Sequence, residues 1–376
     1  MKLYLAHQIM MNDSIFTPQF TLTPEISSRL KDLERQRWFI DNRLLMPKHE
    51  GWMLREVQVK RAVGTTRIEG ATLDEKAVGE LVGRGFGGRY TEDQQANINA
   101  LEAYEFIDYL SDQQDIPIDE LVIRELNRKF MHGSSDALTP GVYRKGQNTK
   151  VGSFSPPDQG DVPDLMRSFV LWLREEDDID PVLKAGIAHI HLVALHPFWD
   201  GNGRTARGLS TLLLQRSLYG FRKLISLESH LSGVSDFYFT AIERALGARF
   251  TLEYDATSWL EFFTQALNVE AEILVGGFIE WHRMMDECRR NFGEKGWLSR
   301  HLDGIAFALR TGQITRSDYM EISGVSQATA SRDLLAMVEA EILLAEGKTR
   351  TRIYGPNPTK FSPKQQVPAE QLPLIP

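Results

Sequence analysis

The densest chemistry in the chain lies at residues 196–207, HPFWDGNGRTAR, where an imidazole, a carboxylate, a Gly-Asn-Gly turn and two guanidinium groups fall within twelve consecutive positions. Gly201 and Gly203 flank Asn202, and glycine admits positive φ, so successive backbone N–H groups of this turn can converge on one anion. The sequence that follows, RTARGLSTLLLQRSL, is rich in Leu, Arg and Ala and free of Pro. It predicts a helix whose N-terminal dipole reinforces anion binding. Arg204 and Arg207 stand three apart on one face of that helix, where their forks can grip a polyphosphate, with Thr205 and Ala206 between them. Asp200 offers hard oxygen ligands to a phosphate-bound Mg²⁺. His196, with an ordinary pKa of about 6.5, suits removal of a proton from a hydroxyl. Taken singly, each residue also fits a helix capped by a glycine turn, with surface arginines and a core histidine. Taken together they predict transfer of a phosphoryl-linked group.

The stretch resembles the signature HxFx[D/E]GNGRxxR of the Fic family, with every fixed position filled. The resemblance implies a protein adenylyltransferase that moves AMP from ATP to a Ser, Thr or Tyr hydroxyl, of a protein target or of itself, and releases pyrophosphate. On that reading His196 is the base and Asp200 holds Mg²⁺ against the α- and β-phosphates. Asn202 and the glycine turn fix the α-phosphate, and Arg204 and Arg207 bind the β- and γ-phosphates. Such catalysis is mainly positioning and charge stabilisation.

Upstream, TTRIEG at residues 65–70 resembles the family's inhibitory motif [S/T]xxxE[G/N], with Thr65, Glu69 and Gly70 in the fixed positions. In relatives this glutamate pairs with the second arginine of the signature, so Glu69 is expected to compete with the γ-phosphate for Arg207. The resemblance leaves open whether Glu69 also serves removal of AMP. A helix C-terminus ending at Gly70 is the plain structural alternative.

Between the two motifs, residues 140–158 carry Pro and Gly breakers around short Val, Tyr, Thr and Phe segments, which predicts a β-hairpin. It resembles the family's flap, on which a target backbone adds as a strand. Aligned to that flap, Val151, Gly152, Ser153 and Phe154 would border the nucleotide. Downstream, residues 235–246 resemble the segment with paired aromatics beside adenine. Tyr238 and Phe239 take those places, although Phe239 departs from the commoner tyrosine and Leu246 from an asparagine found in some relatives.

The elements that must position these groups follow from the chain's punctuation. Thr23-Pro24-Glu25 opens a helix towards Leu45, and a second helix over 53–62 leads into the Glu69 motif. Helical periodicity then covers 94–110, 118–131, 162–174, 181–195, the signature helix, 235–246, 256–265 and 269–290. The expected class is all-α: a Fic-type helical bundle with a β-hairpin flap, plus a C-terminal winged helix-turn-helix. The expected divisions are an N-terminal helical region 1–90, a catalytic domain 91–268, a connecting helix 269–294, the winged helix 295–357 and a disordered, Pro- and Gln-rich tail 358–376. Gly324 would make the tight turn, with Ser326, Gln327, Thr329, Ala330 and Arg332 opening the recognition helix, and Gly347, Lys348, Arg350 and Arg352 the wing.

The winged helix raises a rival class, a DNA-binding regulator. The net charge of −8 gives no global pull towards nucleic acid, and Asp333, Glu339, Glu341 and Glu346 dilute the local basic charge. A third reading keeps the fold and transfers another phosphoryl or nucleotidyl group, but both arginines needed for a triphosphate are present. One cysteine, Cys288, permits no internal disulfide, and no long apolar run predicts a membrane span. With no signal-peptide pattern at the start, the expected location is cytoplasmic. Homo-oligomerisation is expected only by analogy with relatives. His189 and His191 alternate on a predicted helix and are read as core histidines rather than metal ligands.

Overall fold

The computed structural model describes residues 16–43, 47–84, 89–134, 139–145, 153–175, 178–292, 296–348 and 352–361. Its helices, in chain order, are α1 (Pro24–Asp41), α2 (Pro47–Ile68), α3 (Glu75–Arg84), α4 (Glu92–Asp112), α5 (Glu120–Phe130), α6 (Val162–Arg174), α7 (Pro181–Leu195) and α8 (Asn202–Arg216). After a 3₁₀ segment (Leu218–Lys223) come α9 (Leu227–Gly233), α10 (Ser235–Leu246), α11 (Thr257–Phe292), α12 (Ser299–Thr311), α13 (Arg316–Ser323) and α14 (Gln327–Glu339). The chain divides into two compact units, residues 1–41 with 55–271, and residues 42–54 with 272–376. Among the described residues no helix is long and apolar enough to cross a membrane.

In the first unit the central element is α7, buried from Val182 to Leu195 except at Lys184. Its sequence, PVLKAGIAHIHLVAL, is apolar on nearly every side, as expected of a helix with no solvent face. Local residues set its start: the Asp180 side chain accepts the Val182 N–H at 2.8 Å, and Pro181 occupies the first turn, where its missing N–H costs nothing. Helix α8 packs against α7, α4 and α5. Burial of side chains such as Leu209 and Leu212, both wholly enclosed, contributes about 1.5–3 kcal/mol each and holds the start of α8 in place.

Helix α2 is fixed by two features. The guanidinium of Arg61, 1% exposed, donates to the carbonyls of Ile225 and Lys223 and pairs with Asp108. At Gly64 a β-carbon would stand 2.5 Å from the Glu228 carbonyl carbon, so only glycine allows α2 to lie this close to the start of α9.

In the second unit, α12, α13 and α14 pack with a three-stranded antiparallel sheet of β1 (Ile314–Thr315), β2 (Leu343–Glu346) and β3 (Ile353–Pro356) in the order β1-β3-β2. Leu344 faces Gly355 and Ile314 faces Tyr354 across the ladders. Thr315 and Ser326 cap α13 and α14, and Gly324 takes φ +68 between them. This is the element order of a winged helix-turn-helix. Asp333, counted from sequence among the acids that balance the basic charge, is buried. It is 4% exposed and held by Arg300, His301 and Tyr319.

Several expectations change in the structure. Helix α1 ends at Asp41, short of Leu45, and the two helices expected over 256–265 and 269–290 are one continuous helix, α11, because nothing between them breaks the backbone pattern. Helix α3, the 3₁₀ segment and α9 were not anticipated. Residues 358–361 of the expected disordered tail are ordered, with Phe361 against Phe292 and the Thr359 N–H on Asn357. Residues 362–376 and Arg350 lie outside the described residues.

Candidate active site

The chain leaves α7 through His196, which takes φ 45 and ψ 56, a left-handed conformation uncommon for a residue with a β-carbon. It returns into α8 through Gly201, at φ 77. The first backbone hydrogen bond of α8 runs from the Thr205 N–H to the Gly201 carbonyl, so the N–H groups of Asn202, Gly203 and Arg204 have no acceptor within the helix. These N–H groups stand at the helix start where the glycine turn led us to expect an anion.

The side chains of the loop divide into two sets. Asn202 is 2% exposed and its amide is spent on the loop itself, accepting from the Phe198 N–H and donating to the Phe198 carbonyl, both at 2.9 Å. Its side chain therefore shapes the loop, and only its backbone N–H remains for a phosphate. The Thr205 hydroxyl donates to the Gly201 carbonyl and Ala206 is fully buried, so neither side chain is left for a ligand. Asp200 is open, with 37% of its side chain exposed. One of its oxygens accepts the Gly201 N–H and the other lies 3.3 Å from Arg204. The Arg204 Nε is buried without a hydrogen-bond partner.

Arg207 is 2% exposed and held on several sides. Its Nε donates to Thr65 Oγ1 at 2.8 Å, its Nη2 to the Thr65 carbonyl at 3.2 Å and to Glu69 Oε1 at 2.5 Å, and its Nη1 to the Tyr238 hydroxyl at 3.3 Å. The sequence-predicted pairing of Glu69 and Arg207, 138 residues apart, is therefore present. Glu69 lines a cleft with Asp200 and Arg204, and 34% of its side chain meets solvent. Burial pushes its carboxyl pKa up, but Arg207 and Arg204 push it down further, and the net shift is below the ordinary value. A β-carbon at Gly203 would stand 2.9 Å from Glu69 Oε1, so the carboxylate covers the start of α8.

The His196 imidazole is mostly enclosed. Burial first, then the charge of Arg144, depress its pKa to about 4, against the opposing pull of the Val193 carbonyl and Glu69. Nδ1 is buried without a well-formed hydrogen bond. Nε2 is thus the nitrogen left to serve a substrate. At neutral pH the ring is unprotonated, as a base must be.

The remaining expected contacts stand in different surroundings. Tyr238 is 1% exposed, its hydroxyl bridging Arg207 and His189, so its ring offers no open face to adenine. Phe239 is 46% exposed on the outside of α10. Phe154 is buried at 2%, and Ser153 lies 3.3 Å from Glu243. Val151 and Gly152 fall outside the described residues. The described ends of the expected hairpin form isolated β-bridges to other parts of the chain: Tyr143 to Phe198, and Ser155 to Arg249. His189 and His191 are core residues bonded to Tyr238 and Tyr254.

Two residues that organise the site were not singled out from sequence. Asn127, on α5, donates to the Asp200 carbonyl and Thr205 Oγ1 and accepts the Gly141 N–H. A polar amide on a stripe otherwise made of Ile123, Leu126 and Phe130 is the signal that could have found it. Arg144 donates to the His196 carbonyl at 2.8 Å, and no local pattern marks it. Among the described residues no group of three or more His, Cys, Asp or Glu side chains could hold a metal alone. Asp200 accepts the Gly201 N–H on one oxygen and pairs with Arg204 at 3.3 Å through the other, and 37% of its side chain stays exposed. It suits Mg²⁺, which is often held by a single carboxylate together with substrate phosphates.

Residues 117–214 match the Fic/DOC family. The protein adenylyltransferase fic-1 of Caenorhabditis elegans is 35% identical over 180 residues, covering 46% of this chain and 34% of that protein. The protein adenylyltransferase Fic of Drosophila erecta is 44% identical over 108 residues, covering 28% of this chain and 21% of that protein. The chain thus spans about a third or less of the length of these curated relatives. In fold it is similar to a Fic family protein from Desulfovibrio desulfuricans, with a TM-score of 0.59 at 21% identity, covering 94% of this chain and all of that one. It is also similar to residues 134–508 of C. elegans Fic-1, with a TM-score of 0.54 at 24% identity, covering 68% and 73%. The loop from His196 and the start of α8, with Arg204 and Arg207, thus fall inside the stretch that matches the Fic/DOC family, residues 117–214.

Proposed function

We propose that this protein is a protein adenylyltransferase that transfers AMP from ATP to a hydroxyl side chain of a protein, restrained by Glu69. The observation that carries the reading is the meeting, at one helix N-terminus, of an unprotonated His196, an open Asp200, free backbone N–H groups and two arginines. The relatives named protein adenylyltransferase support it.

The triphosphate lies along the start of α8, with the N–H groups of Asn202, Gly203 and Arg204 facing phosphate oxygens. Arg204, through its unpartnered Nε, and Arg207, once released by Glu69, neutralise the terminal phosphates. Asp200 would hold Mg²⁺ on the phosphates, where the ion supplies charge neutralisation and orientation. The target oxygen attacks the α-phosphorus while its proton passes to His196 Nε2. The bond to the bridging oxygen breaks, and its electron pair leaves with pyrophosphate. The partners are therefore ATP and a protein hydroxyl, with self-modification included. The ion pair of Glu69 with Arg207 supports the reading of Glu69 as a brake.

The test is transfer of label from α-³²P-ATP to protein in a cell lysate with Mg²⁺, comparing Glu69→Gly with Glu69→Gly combined with His196→Ala. Label in the first and none in the second is expected. Label from γ-³²P-ATP instead would replace AMP transfer by phosphate transfer, and equal label with and without His196 would remove the base from the mechanism.

A further inference from the structure

Arg144 is almost entirely enclosed, at 2% exposure, in the turn that precedes the flap segment. A buried guanidinium is unfavourable unless its N–H groups are met by oxygen. Here Nε donates to the carbonyl of His196 at 2.8 Å and Nη2 to the carbonyl of Pro157 at 2.5 Å. The backbone N–H of the same residue donates to the Pro197 carbonyl at 2.8 Å, and the neighbouring Tyr143 bridges to Phe198. One residue therefore ties the two carbonyls at the end of α7 to the segment on the far side of the flap. The carbonyl it grips belongs to the left-handed His196, whose conformation persists only if its surroundings over-determine it. A cation is also favoured there, at the C-terminal end of the α7 dipole.

We propose that Arg144 is a positioning residue for the transfer reaction: by clamping the His196 carbonyl to Pro157 it holds the left-handed turn that aims the imidazole at the start of α8. The assignment of a reaction rests on the adenylyl-transfer reading above, whereas the clamp itself does not. Arginine is required because one planar fork must reach two carbonyls in different directions and stay charged. A lysine keeps the charge but offers a single point donor. The charged groups acting on His196 are Arg144 from the pre-flap turn, which disfavours its protonation, and Glu69 from α2, which favours it, while Asp158 acts on Arg144 in turn. Removal of the Arg144 charge should raise the imidazole pKa as well as loosen the ring, and a contact that merely supports folding would not do so.

The test places Arg144→Met, Arg144→Gln and Arg144→Lys in the Glu69→Gly chain. It measures kcat and KM for ATP between about pH 5 and 8.5, the melting temperature, and the titration of the His196 ring by NMR, assigned through its loss in His196→Gln. The parent should show no His196 titration above about pH 5. Arg144→Met and Arg144→Gln should bring the midpoint up by about one unit and lower kcat about tenfold or more, with KM for ATP within about twofold. Arg144→Lys should restore the titration but only part of kcat. An unmoved titration in the folded neutral variants would overturn the proposal, as would a kcat that falls only in parallel with the melting temperature. If the Glu69→Gly parent transfers no AMP, the adenylyl-transfer reading fails alone, and the ring titration still decides whether Arg144 governs His196.

Discussion

Replacement of Glu69 by glycine should free Arg207 without displacing it, and the size of the effect can be worked from the contacts. Arg207 keeps Thr65 Oγ1, the Thr65 carbonyl and the Tyr238 hydroxyl in the variant, so its guanidinium stays in place. What disappears is one charge-assisted bond of 2.5 Å and the carboxylate that covers Gly203. A hydrogen bond to a charged group is worth about 1.5–3 kcal/mol. With 34% of the Glu69 side chain in solvent, screening places this one near the lower end, about 1.5–2 kcal/mol. At 1.36 kcal/mol per factor of ten, the population open to productive ATP should rise about 10- to 30-fold. The assay is the initial rate of α-³²P label incorporation at fixed target and ATP. A rise of less than about threefold, with ATP binding unchanged, would refute the competition for Arg207. The pH dependence adds a check on the same contact. Because the Glu69 pKa is lowered, the carboxylate stays charged from neutral pH to below its ordinary value of 4.5. Its stabilisation is complete above the unfolded-state pKa and is lost only as pH falls through the depressed folded-state value. The ratio of variant to wild-type rate should therefore be flat between about pH 5 and 8, and a ratio that collapses towards one at the acid end would contradict the pairing.

Two further outcomes follow from the supports of that contact. Gly64→Ala would put a β-carbon 2.5 Å from the Glu228 backbone, so α2 must lift; urea unfolding should show a loss of about 1–3 kcal/mol together with faster label transfer, and an unchanged unfolding midpoint would refute the close approach. Tyr238→Phe removes the hydroxyl shared by Arg207 and His189 and should cost about 1 kcal/mol of stability. Because the ring is enclosed, preference for ATP over GTP should not change, and a changed preference would return Tyr238 to the adenine pocket.

What could be read from the sequence is what depends on neighbours along the chain. The Gly-Asn-Gly turn, the helix it opens and the spacing of Arg204 and Arg207 are local, because a helix terminus and the face on which two residues emerge are set within a few residues. The same holds for the start of α7, where Asp180 and Pro181 act within one turn, and for the cap and glycine that frame α13. The pairing of Glu69 with Arg207 was accessible only through resemblance to a family motif, since nothing near either residue specifies the other.

The direction in which each side chain points, and what meets it, belonged to the tertiary structure. Tyr238 and Phe239 look equivalent as adjacent aromatics, yet α10 packs so that one is sealed against His189 and Arg207 and the other faces solvent. Asn202 looks like a phosphate ligand, but its amide closes the loop on Phe198. Arg144 carries no local signature and Asn127 only a polar amide on an apolar stripe, because the groups they hold in the His196 to Thr205 region are supplied only when the chain folds back on itself. The sequence by itself determined which chemical groups stand at the helix start. Only tertiary packing decided which of them face the cleft and which are held, because burial and hydrogen bonding of a side chain depend on segments distant in the chain.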